Sequence, residues 1–177
     1  RMAMAQLDAV LQDLRDYAQG KGTRVELLDD THVRITRLVE GPRELVWRAH
    51  MEPDLIRQWM LGPDGWEMTE CVVGTAPGDT YRNSWAPVGD TEGEPFGFEG
   101  EVLLVDAPRR AVTTERMQGM PVETLNDLNL YEEDGATLVT VLIEYPDKET
   151  RDMILATGMA DGMETSFARL ESQVLTV

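Results

Sequence analysis

Between Trp66 and Tyr145 apolar and polar residues alternate with a period of two, and on either side of that stretch the period lengthens to three and four. The alternation predicts strands over 66–73, 79–86, 96–105, 110–118, 122–132 and 136–145. Pro77-Gly78, the run from Asp90 to Pro95, Ala107-Pro108, Gly119-Met120-Pro121 and Asp134-Gly135 break it. The last pair is a strong hairpin signal, because Asp-Gly accepts the positive φ that tight hairpin turns need. Consecutive strands joined by short turns predict an antiparallel sheet.

Upstream, 24–28 and 32–39 read as two further strands around the polar turn Asp29-Asp30, with Val33, Ile35 and Val39 on one parity and Arg37 interrupting them. Pro42 suits the first turn of a helix whose apolar stripe is Leu45, Val46 and Ala49. Pro53-Asp54 opens a second short helix that turns Leu55, Ile56, Trp59 and Met60 inward. Downstream, Met153, Ala156, Ala160, Met163, Phe167, Leu170 and Val174 alternate steps of three and four, which predicts one long helix over about 147–175. Gly158 and Gly162 lie inside it, either for close packing on the sheet or as a hinge or space for a ligand. At the other end, Leu7, Val10, Leu11, Leu14, Tyr17 and Ala18 share a helical face over 3–18, and Gly20-Lys21-Gly22 links that helix to the rest. It is expected either to lie on the domain or to pair with a second copy as a homodimer. The division is therefore 1–22 as helix and linker and 23–177 as one domain.

Apolar residues form 42% of the 177, enough for a folded core. The formal net charge of -17 argues against nucleic acid or an anionic membrane surface as partner, since both need clustered Lys and Arg. No apolar run approaches the length of a membrane span. Cys71 is the single cysteine, which excludes an intramolecular disulfide and fits a reducing cytoplasm. Its apolar strand neighbours predict an inert, packed thiol.

A strand, two short helices, a six-stranded antiparallel run and one long last helix is the helix-grip order. Ile35-Thr36-Arg37, the run Gly41-Pro42-Arg43-Glu44-Leu45-Val46-Trp47-Arg48-Ala49, Trp59 and Gly62-Pro63 resemble the activator-of-heat-shock-ATPase-like proteins of the START and polyketide-cyclase superfamily. Phe98-Glu99-Gly100-Glu101-Val102 with Val105 to Arg110 is similar to that family's middle strand pair, and Gly158 to Met163 with Phe167, Leu170 and Glu171 to its last helix. Met60 stands where a second Trp is common, and the N-terminal helix is extra. The resemblance covers roughly residues 24–175. It implies an α+β helix-grip fold: a curved six- to seven-stranded antiparallel sheet around a long C-terminal helix, two short helices after the first strand, and an apolar cavity between sheet and last helix. It implies no particular reaction, because a fold does not choose a chemistry.

The residues themselves offer little chemistry. His32 and His50 are the only histidines and lie on different elements, so neither a transition-metal cluster nor a hydrolase triad is expected. Gly97-Phe98-Glu99-Gly100 lies in a strand and lacks the lysine of a phosphate loop, so the glycines are read as sites of tight bending or close approach. No cofactor and no metal are expected, and no catalytic motif is recognisable. Apolar candidates for lining a cavity are Trp59, Trp66, Trp85, Phe98, Met117, Leu128, Met159, Met163 and Phe167, each of which serves equally as core. Polar candidates are Arg82, Glu99, Glu115, Arg116, Asn126 and Tyr145, whose strand parity leaves each free to face in or out. Glu115 and Tyr145 are the two placed in the candidate binding site. An inward Glu115 needs an Arg or a ligand donor; the alternative is a surface ion pair with an Arg.

Three functions follow as expectations. The favoured one is binding of a small hydrophobic or amphipathic ligand between sheet and last helix. A cyclase or dehydratase using Glu115, Tyr145 or Arg82 as acid–base groups is the second. A co-chaperone-like regulator of an ATPase, acting through its acidic surface or its N-terminal helix, is the third.

Overall fold

A computed structural model describes residues 22–176. Within them eight strands form one antiparallel sheet: β1 (Arg24–Leu27), β2 (His32–Val39), β3 (Trp66–Val72), β4 (Thr80–Pro87), β5 (Phe96–Asp106), β6 (Arg110–Met117), β7 (Glu123–Glu133) and β8 (Ala136–Glu144). Their spatial order is β1-β2-β8-β7-β6-β5-β4-β3, so only the β2–β8 pairing joins strands distant in sequence. Helices α1 (Arg43–Met51) and α2 (Pro53–Trp59) connect β2 to β3, and α3 (Lys148–Leu155) and α4 (Met159–Arg169) follow β8. Leu170–Val174 continues α4 as a π-helical turn.

The α+β class and the antiparallel meander are those the alternation predicts. Three expectations need correction. The sheet has eight strands rather than six to seven, because residues 24–27 pair along the outer edge of β2, with Val25 opposite Ile35. The two short helices follow the second strand rather than the first. The long C-terminal helix is two helices. Gly158 adopts a left-handed conformation (φ 82°), which ends α3 cheaply only at glycine, and α4 starts at the next residue. The predicted N-terminal helix over 3–18 and a homodimer contact through it lie outside the described residues.

Local sequence explains most boundaries. Pro53 opens α2, where its missing N–H costs no helical hydrogen bond. Asp147 caps α3 by accepting from the Thr150 amide at 2.7 Å. Gly100 is required where β5 closes on its neighbours. A Cβ there would stand 1.9 Å from the Thr114 carbonyl oxygen and 2.7 Å from Tyr81 Cε1, so the Tyr81 ring occupies the space a side chain would take.

One face of the sheet carries the helices, and its core falls into three groups. Val39, Val139 and Leu130 meet α1, α2 and the end of α4 through Val46, Ala49, Trp59, Phe167 and Leu170. Val33, Ile35, Ile143 and Tyr145 meet the α3–α4 junction through Ile154, Leu155 and Met159. Met68 and Trp85 meet Ile56 of α2, with Trp66, Phe96 and Phe98 beside them. Arg37 also points to this face and is buried. Its guanidinium is held by Glu164 of α4 at 3.0 Å and by Glu171 at 2.9 Å, which clasps the C-terminal helical segment to β2.

Candidate functional site

The inner face between these three groups is made by β4 to β8, and strand register decides which side chains reach it. Glu115 of β6 stands opposite Thr124 of β7, and Thr113 opposite Asn126. Asn126 in turn stands opposite Ile143 of β8, while Leu128 lies between Ala111 and Val141. Tyr81 of β4 stands opposite Gly100, and Asn83 opposite Phe98. The result is a polar belt of Tyr81, Glu115, Thr124, Asn126 and Tyr145 set in an apolar surface, with the α3–α4 junction next to Tyr145.

Glu115 is the centre of this belt. It is half-buried, and Asn126 Nδ2 donates to its Oε2 at 3.2 Å. The Asn126 carbonyl oxygen is itself taken by Thr124 Oγ1 at 3.2 Å, which fixes the direction of the amide. Burial raises the carboxyl above its ordinary value, and the Asn126 hydrogen bond offsets this only in part. Among the described residues no Arg or Lys pairs with it. Its charge is felt across the belt. Burial first, and Glu115 second, push Tyr145 up to about 12, and the same two causes raise Tyr81. Tyr81 donates its hydroxyl to the Thr114 carbonyl at 2.6 Å. Among the described residues Tyr145 has only the Met159 sulfur, at 3.7 Å, as acceptor. A carboxyl raised by burial on the same face as two phenols is an arrangement able to accept, donate or move a proton.

The predicted lining residues divide among these surroundings. Trp59 and Phe167 are core: they stack with ring centroids 6.0 Å apart, and Trp59 Nε1 donates to the Ala49 carbonyl at 2.9 Å. Trp66, Trp85 and Phe98 gather around Phe96, and Trp85 Nε1 donates to the Met60 carbonyl at 2.7 Å. Leu128 and Met163 are half-buried against the first core group, and Met159 and Met163 against the second. Met117 is 39% exposed, at the open end of β6. Tyr145 therefore comes together with Met159 and Met163, while Leu128 and Met163 pack on the group that holds Trp59 and Phe167.

Arg82, Glu99 and Arg116 lie on the opposite, outer face. Arg82 and Arg116 both pair with Glu99, at 3.6 and 3.2 Å, and Arg82 also with Glu70 at 3.6 Å. An open recess of about 520 Å³ lies among them and is also lined by Tyr81, Gly100 and Thr114. Cys71 is half-buried in the Met68–Trp85 group, and burial raises its thiol. Sequence reasoning passed over Tyr81, Asn83, Thr113 and Thr124. The parity of Trp85, an inward tryptophan, carries the signal for Tyr81 and Asn83, since residues two apart share a face. Among the described residues no group of three or more His, Cys, Asp or Glu side chains could hold a metal ion, and no helix is long and apolar enough to cross a membrane.

Residues 40–174 match the profile of the Activator of Hsp90 ATPase homolog 1-like protein family. The chain belongs to that family. A solved structure of a Rhodobacter sphaeroides protein is 29% identical, with a TM-score of 0.79 over 86% of this chain and 97% of that one. Protein Ms6760 from Mycobacterium smegmatis shares the fold at 20% identity, with a TM-score of 0.76 over 89% of this chain and 99% of that one. The AHSA1-like protein from Aeromonas hydrophila does so at 21% identity, with a TM-score of 0.63 over 81% and 95%. No curated protein sequence matches the chain. Family membership agrees with the resemblance carried by the Gly41–Ala49 run, and with the START and polyketide-cyclase superfamily it implied.

Proposed function

We propose that this protein binds a small hydrophobic or amphipathic molecule on the inner face of its sheet, beneath the α3–α4 junction. The observation that carries the reading is Glu115: a half-buried carboxyl on the helix-bearing face, held by Asn126, with no Arg or Lys among the described residues to balance it. Such a group costs stability, and a binding site is the usual reason a fold tolerates that cost. The half-buried Leu128, Met159 and Met163 supply adaptable apolar surface around it. On this reading the sheet curves around α3 and α4 in the helix-grip manner, residues 23–177 act as one ligand-holding domain, and the protein works in the cytoplasm.

The test is native mass spectrometry of the freshly purified protein, followed by denaturation and identification of what is released. A retained apolar compound, lost when Met159 and Met163 are replaced by Glu, supports the reading. Retention unchanged by those replacements overturns it.

A second reading is favoured by the raised Glu115 carboxyl beside Tyr145: an acid–base enzyme of the cyclase or dehydratase kind. Glu115→Gln and Tyr145→Phe separate the two, since an enzyme loses turnover with substrate affinity kept, and a carrier loses affinity alone. The family's name also suggests regulation of an ATPase, which the acidic surface would serve by meeting a basic partner.

A further inference from the structure

The inner face presents acceptors that lack donors. Glu115 Oε2 is met by Asn126, but Oε1 receives no hydrogen bond from any described residue. Asn83 Oδ1, on the same face of β4 as Tyr81, is buried without a hydrogen-bond partner. Neighbouring donors are already committed. Tyr81 serves Thr114 O, Thr124 serves Asn126, and the inward Arg37 is consumed by Glu164 and Glu171. A buried acceptor without a donor, as Asn83 Oδ1 is, is costly, and the expense is relieved when a bound molecule brings the missing hydrogen.

Resting on the reading that this face binds a ligand, we infer that the ligand is a cationic amphiphile: an apolar body carrying a protonated amine that docks on Glu115 Oε1. The ammonium supplies the counter-charge that β4 to β8 withhold, and its N–H groups reach an oxygen that nothing else serves. Its apolar body lies along Leu128, Met159 and Met163. A carboxylate head is rejected on the same grounds, because it brings a second negative charge against Glu115 in a chain already carrying -17. A neutral hydroxyl satisfies Oε1 with one hydrogen bond but leaves the charge unpaired. The tail-matched series amine, alcohol, acid therefore ranks in that order.

Isothermal titration of the full chain with octylamine, octanol and octanoate at about pH 8 measures the ranking, since free octylamine is then a cation and free octanoate an anion. Octylamine is expected to bind at least about tenfold more tightly than octanoate. Glu115→Gln, a near-isosteric change, is expected to remove most of that preference. Octanoate or octanol binding more tightly than octylamine overturns the inference and leaves ligand binding on this face intact. Failure of all three to bind overturns both. The wild-type ranking alone decides the matter if the Glu115→Gln chain proves unfolded.

Discussion

Replacing Glu164 by Gln loosens the clasp that holds α4 on the sheet, and its effect has a calculable pH signature. Glu164 accepts from Arg37 Nε and Nη2, both at 3.0 Å, and from the Thr23 amide and hydroxyl at 2.9 and 2.7 Å. The Arg37 hydrogen bonds above all, opposed by desolvation, lower its carboxyl from 4.5 to about 2. At face value that drop corresponds to roughly 3 kcal/mol. The Glu164 side chain keeps 40% of its surface in solvent. Screening therefore reduces the contribution to about 1–2 kcal/mol. A depressed carboxyl stabilises the fold above its unfolded value, and that stability is lost as pH falls from about 4.5 toward 2. Glu164→Gln should thus lose about 1–2 kcal/mol near pH 7 and less than half of that near pH 3. Glu171 stays on Arg37 at 2.9 Å, so the guanidinium is not stranded and the loss stays in this range. Urea unfolding of both chains, followed by circular dichroism at the two pH values, measures the difference. An equal deficit at both, or none near pH 7, refutes the reasoning.

Two glycines in the C-terminal segment should respond with opposite signs. Gly158→Ala forces a side chain into a left-handed backbone and should cost about 1–2 kcal/mol. Gly162→Ala adds a methyl in open space within α4 and should gain about 1 kcal/mol. Thermal unfolding of the pair checks this, and stabilisation by both would mean one unbroken helix. Glu115→Gln should stabilise the unliganded protein near neutral pH. Its carboxyl is raised in the fold, so stability is full below the ordinary carboxylate range and falls as pH rises through the raised value. The variant escapes that fall. Melting temperatures that diverge from wild type as pH rises support this account, and a variant less stable at every pH contradicts it.

The strands were legible because each inner-face run alternates cleanly. The period-two segments 110–118 and 136–145 correspond to β6 and β8, and the Asp134-Gly135 hairpin stands where its residues predict, with Asp134 itself at positive φ. The pairing of β2 with β8 was not readable, since register between distant strands is set by the packed face rather than by any local turn. The break of the last helix was visible only as an open question at Gly158. Its apolar stripe runs on with the same three–four spacing across the break, so periodicity alone cannot detect it. Of the candidate site, parity joined Glu115 to Met117 and Tyr145 to Val141 and Ile143, but it does not say which face is inner. That is decided by Asn126 and Thr124 closing on Glu115 from β7. Trp59 and Phe167 satisfy the pattern of a lining residue and are packed in the core, two roles that periodicity does not separate.

Methyl-labelled methionine NMR tests the central claim most directly. Met117, Met159 and Met163 flank the proposed site, Met68 lies in a separate core group, and Met153 is 54% exposed on α3. Titration with octylamine should shift the methyls of Met159 and Met163 most, with Met117 following and Met68 and Met153 unmoved. Shifts absent from Met159 and Met163 while amides of Arg82, Glu99 and Arg116 respond would place binding in the outer recess and contradict the account.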